Sequence, residues 1–98
     1  MKRFVLTKPA EDDLHQIKNY LAERAGPTIA RRVLKEIRLA MDLLGDQPDL
    51  GHSRENLTNR PVKFWAVFSF LIVYAPSPPP VRVMRVLHGA QDVERLLS

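Results

Sequence analysis

The side chains best able to do chemistry lie in the second half of the chain, where Arg54, Arg60, Lys63, Arg82 and Arg85 stand against the single acid Glu55 between Gly51 and His88. Brought together, such cations hold phosphates, arginine through bidentate contacts and lysine as a point charge. Arg54, Arg60, Lys63 and Arg82, with the aromatic Trp65, are therefore candidate contacts to a target. The competing reading is that each is a solvated surface group, the ordinary fate of isolated Lys and Arg on a small sheet. His88, just before Gly89, offers an imidazole that can act as acid or base near neutral pH, although an interior hydrogen bond is its commoner role.

Arg85 is a separate case. Strand alternation puts it on one face with Val83 and Leu87, while Arg82, Met84, Val86 and His88 share the other. A charge interrupting an apolar face needs a partner, so a structural ion pair with Asp92, or a bond to a carbonyl, is the leading expectation and a ligand contact the second. Other chemistry finds little support. There is no phosphate-binding glycine loop with its lysine, no G-x-S-x-G elbow and no dinucleotide fingerprint. His15, His52 and His88 lack the spacing of a helical zinc site, and there is no cysteine, so neither a metal site nor a cofactor is expected. Ser69 reads as a turn residue rather than a nucleophile. Phe64, Trp65, Phe68, Phe70 and Tyr74 are expected mostly in the core, Trp65 being the weakest fit, and any left exposed would anchor a protein partner.

The elements that must position these groups follow from periodicity. Lys2–Thr7 reads as an opening strand that stops before Pro9. A helix then begins with proline in its first turn and Glu11, Asp12 and Asp13 near the positive end of its dipole, with Ala10, Leu14, Ile17 and Leu21 as its apolar stripe. Gly26-Pro27 ends it and starts a second helix, striped by Ala30, Val33, Leu34, Ile37, Ala40, Met41 and Leu44, with Gly45 as its stop. The two helices make an antiparallel hairpin. Asp46 to Asn59, about fourteen residues rich in Gly, Pro, Asp, Asn and Ser, reads as a loop. Strands follow at Val62–Val67, Phe70–Ala75 and Val81–Leu87, joined at Phe68-Ser69 and by the proline run Pro78-Pro79-Pro80. Ala90 to Leu97 closes the chain as a short helix or tail. The order β-α-α-β-β-β defines an α+β fold, a helical hairpin on a small, mostly antiparallel sheet.

Composition sets the outer bounds. The chain has 98 residues, 45% hydrophobic and 27% charged, which suits one folded domain spanning 1–98. A net charge of +4 favours acidic partners. The apolar run from Phe64 to Ala75 is about a dozen residues, short of the roughly 20 needed to span a membrane, and Met1–Thr7 is too poor in apolar residues for a signal peptide. The cytoplasm is the expected location, with no membrane partner.

Four segments, in order, then resemble a known family: Glu11-Asp12-Asp13-Leu14 through Tyr20-Leu21, Pro48-Asp49-Leu50-Gly51-His52-Ser53-Arg54, Leu71-Ile72-Val73-Tyr74, and Arg85-Val86-Leu87-His88-Gly89-Ala90-Gln91-Asp92. Together they are similar to the RelE/ParE toxins of type II toxin–antitoxin systems, and the Leu-His-Gly-Ala-Gln-Asp ending looks most like the ParE branch. The resemblance implies a cognate antitoxin whose C-terminal segment wraps and masks the toxin. ParE-like members inhibit DNA gyrase without nuclease activity, whereas RelE-like members cut mRNA on the ribosome without a metal. RNA cleavage would need a base, an acid and several cations around the phosphorane, and Lys63, Arg82 and His88 are the candidates for it. The chain lacks the tyrosine found near the end of many nuclease relatives and carries Gln91 where many ParE relatives have arginine. A gyrase inhibitor is the leading expectation, a ribosome-dependent mRNA endonuclease the second, and a basic nucleic-acid-binding domain without toxicity the third.

Overall fold

A computed structural model of the chain describes residues 3–53 and 59–88. Strand β1 (Phe4–Leu6) leads into helices α1 (Lys8–Ala25) and α2 (Pro27–Asp46), a single 3-10 turn (Pro48–Leu50), and strands β2 (Lys63–Val67), β3 (Phe70–Ala75) and β4 (Val81–His88). The sheet runs β1-β4-β3-β2, with β1 parallel to β4 and the other pairs antiparallel. The α+β architecture and element order are those expected. The proposed C-terminal helix, with Gln91 and Asp92, and Arg54 lie outside the described residues.

β1 is shorter than its sequence pattern because Thr7 caps α1 instead. The Thr7 hydroxyl accepts from the Ala10 amide at 3.2 Å and donates to the Met84 carbonyl at 2.8 Å, so one side chain starts the helix and ties it to β4. Gly26, at φ 92°, lets α1 stop and α2 begin at Pro27. Gly45 does not stop α2, which continues through Asp46. A Cβ at Gly45 would lie 2.6 Å from the Arg3 carbonyl oxygen, so this glycine is required by the close approach of the chain leading into β1.

Ile37, Met41 and Leu44 of α2 and Ala10 and Ile17 of α1 pack on Phe70, Ile72, Tyr74, Val81, Val83 and Val86. A second cluster, Val62, Phe64, Val73 and Leu87, occupies the opposite face of the sheet. Val83 and Val86 thus share the helix-facing core while Leu87 belongs to the other face, contrary to the strict alternation expected. The cause is a register shift: Val73 pairs with Arg85 and Tyr74 with Val83, leaving Met84 as an extra residue on β4. A bulge of this kind inverts the in–out pattern beyond it.

Candidate functional site

A polar cluster sits beside the bulge. Asp13, on the buried side of α1 and 9% exposed, accepts from Arg85 Nε at 2.7 Å, from the second Arg85 terminal nitrogen at 2.9 Å and from the Val86 amide at 2.9 Å. A bidentate carboxylate–guanidinium pair with a third, backbone donor is the arrangement that lets a charge pair persist under a helix. The Arg85 pKa is raised, first by its hydrogen bond to the Asp13 carboxylate. Arg85 is thus ion-paired, and its carboxylate is Asp13, 72 residues away in sequence; Asp92, the partner expected from the sequence, is outside the described residues. Because β1 ends at Leu6, Thr7 and Asp13 satisfy the β4 edge that β1 does not reach.

A second anchor fixes the loop after α2. Tyr74 is fully buried, and its hydroxyl accepts from the Gly51 amide at 2.8 Å and donates to the Pro48 carbonyl at 2.7 Å. A Cβ at Gly51 would fall on the phenol oxygen, so the motif Pro48-Asp49-Leu50-Gly51 is closed on Tyr74 with no room for a side chain. Burial pushes the phenol above its ordinary pKa. Further on, His52 and Phe64 exchange backbone hydrogen bonds at 2.9 and 2.8 Å, and the His52 ring stacks on Trp65 with centroids 6.4 Å apart. The front part of the expected loop is thus ordered structure pinned to the β2 edge.

The candidate catalytic groups do not meet. Lys63 pairs with Tyr74, which pairs with Val83, so Lys63 belongs to the helix-facing side; Arg82 pairs with Ala75 and Val5 and takes the other side. His88 stands six residues further along β4, about 20 Å away at the usual strand rise. There its ring lies 5.1 Å from Phe70 and 6.1 Å from Tyr20, over which Arg24 sits at 4.8 Å. Of the target-contact candidates among the described residues, Trp65 is half-buried against the helix-side core, Arg60 and Arg82 are exposed, and Lys63 and Arg82 take opposite faces of the sheet. Among the described residues no three potential ligands converge to hold a metal, and no helix is long and apolar enough to cross a membrane.

Two surface features bear on binding. One is a groove of about 730 Å³ between β1, α1 and α2, with Phe4, Leu6, Leu14, Leu34 and Met41 as its apolar lining and Arg38 among its charged residues. The Thr7 amide donates to the Val83 carbonyl, so by alternation the backbone groups of Phe4 and Leu6 turn to the free outer edge of β1, along this groove. The other is Phe68, expected in the core with the other strand aromatics but 66% exposed at the β2–β3 turn. Phe64, Phe70 and Tyr74 are buried as expected.

In this α+β fold the helical hairpin is clamped to β4 through Asp13 and Arg85, and among the described residues Lys63, Arg82 and His88 do not converge. Over residues 4–93 the chain matches the model of the ParE toxin of the type II toxin–antitoxin system parDE, and it belongs to that family. Among solved structures, a chain of the chromosomal ParDE TA system from P. aeruginosa superimposes with a TM-score of 0.75 at 17% identity, covering 87% of this chain and 92% of that one. No curated protein matches it.

Proposed function

We propose that this ParE-family toxin acts in the cytoplasm by binding DNA gyrase and holding its DNA-cleaved intermediate, with no bond-making chemistry of its own, and that a cognate antitoxin silences it. The observation that carries the reading is the separation of Lys63, Arg82 and His88 onto two faces and two ends of the sheet, because phosphoryl transfer needs its base, acid and cations within hydrogen-bond reach of one phosphate. Arg85, the remaining central cation, is consumed by Asp13. For the antitoxin, the groove along β1 supplies both an apolar cleft and a free strand edge, the two elements a peptide segment needs to dock. The family resemblance makes that segment the antitoxin's C-terminal part.

The test is controlled induction of the chain alone in bacteria, with plasmid topology and mRNA integrity read from the same culture. Growth arrest with gyrase-linked DNA breaks is the expected result. Relaxed supercoiling without trapped breaks, or ribosome-dependent mRNA cuts, sinks the proposal.

A further inference from the structure

The β2–β3 hairpin closes through two residues, Phe68 and Ser69, between the paired Val67 and Phe70. Two-residue turns of this kind call for positive φ and are normally made with Gly, Asn or Asp, whose side chains tolerate it. Here the position is held by phenylalanine at φ 54°, in the left-handed region that a bulky side chain rarely adopts. Nor is the residue buried in return: Phe68 is two-thirds exposed. The rest of the hairpin is equally unguarded. From Phe64 through Val81 there is no charged residue. Edge strands are usually protected by Lys, Pro or inward charges, yet β2 carries only Lys63 at its start. Beyond the single bridge to His52, its outer edge presents the backbone of Ala66, and no described strand covers it. A strained, exposed aromatic at the hairpin tip, followed by the small residue Ser69, is costly to the free molecule and suited to insertion into a cleft.

We infer that Phe68 is the anchor with which this toxin enters an apolar pocket on the protein it inhibits. This rests on the reading that the toxin works by binding a protein target. The absence of charge from Phe64 through Ala75, around the hairpin tip, favours a protein pocket over nucleic acid, whose contacts depend on cations placed against phosphates. The hairpin tip lies beyond the Phe70–His88 end of the sheet, whereas β1 and its groove lie against Val81–Val83 at the opposite end of β4. Target and antitoxin would thus occupy separate surfaces.

The test compares Phe68→Asn, which suits positive φ and removes the ring, with Phe68→Tyr, which keeps it, and with Ser69→Arg, which places a charge beside it. Three readouts are taken on the full chain: the inducer dose that arrests growth, the affinity of purified toxin for purified gyrase, and the thermal midpoint. Phe68→Asn and Ser69→Arg are expected to need at least tenfold more toxin for arrest and to bind gyrase at least tenfold more weakly. Phe68→Tyr stays within about threefold of the original chain, and the Phe68→Asn midpoint is unchanged or higher. Arrest by Phe68→Asn at the original dose overturns the inference, as does a dimer of the original chain that this substitution dissociates, or affinity for duplex DNA that it removes. If the original chain arrests growth without engaging gyrase, and Phe68→Asn still abolishes arrest, the anchor stands and the identity of the target is what changes.

Discussion

At the scale of single residues, Tyr74 shows how one side chain holds a loop that sequence leaves unstructured. Its hydroxyl serves both the Gly51 amide and the Pro48 carbonyl in a buried site, so Tyr74→Phe leaves two backbone groups short of a partner and should cost about 2 kcal/mol, read from urea unfolding. The pH dependence follows from the same burial. The folded phenol holds its proton above the ordinary value of 10.0, so its contribution is fully present below pH 10 and is lost as pH rises through the higher folded value. Stability of the original chain should therefore fall, as pH rises above the ordinary phenol value of 10.0, more steeply than that of Tyr74→Phe. Asp13 and Arg85 behave differently, because removing one partner strands the other beneath α1. Asp13→Ala is expected to destabilise by about 3 kcal/mol, Arg85→Ala by less, and the double variant by less than their sum, since the coupling in such a cycle measures the pair itself. Additive losses would mean that the pair contributes nothing beyond packing.

At the scale of elements, α1 and α2 were legible because a 3.6-residue apolar repeat has only one way to bury its stripe, and Gly26-Pro27 punctuates it without ambiguity. The strands were legible from their aromatic and β-branched content, but their faces were not. Period two carries no sign of an inserted residue, so Met84 and the inversion beyond it became visible only once β3 and β4 were paired. The partner of Arg85 was hidden for a related reason: the need for a counter-charge is local, whereas the carboxylate that meets it comes from the other end of the chain. A groove for a partner segment is expected from the amount of apolar surface, but its place was hidden, since it is made by three elements that are each ordinary alone. Its proposed role makes an element-scale prediction. Leu34→Glu puts a charge into the apolar lining between α1 and α2, and should weaken antitoxin binding at least tenfold while growth arrest persists. Co-expression of the antitoxin, which rescues cells making the original chain, should then fail to rescue cells making the variant. Full rescue would place the antitoxin elsewhere, and retained arrest would itself show that the variant folds.

At the scale of the whole molecule, the question is whether a modest positive charge spread over a small sheet is a reactive centre or a solvated surface. The sequence alone placed Lys63, Arg82 and His88 within one cationic half, and nothing in their spacing could say that pairing would send them apart, because the face of each depends on a register no single strand encodes. With Lys63 and Arg82 on opposite faces and His88 about 20 Å along β4, no phosphate can touch all three. The triple variant Lys63→Ala, Arg82→Ala, His88→Ala therefore separates the two modes of action. A nuclease built from these groups would lose mRNA cleavage and arrest together, since removing a base, an acid and a cation costs orders of magnitude in rate. A gyrase-binding toxin loses at most one flank contact, because one flat partner surface cannot cover both faces of the sheet, and a single exposed cation is worth less than the 1.4 kcal/mol that corresponds to tenfold. Gyrase-linked breaks in cells making the triple variant should accordingly remain within about tenfold of those made by the original chain at matched protein levels, with mRNA intact in both.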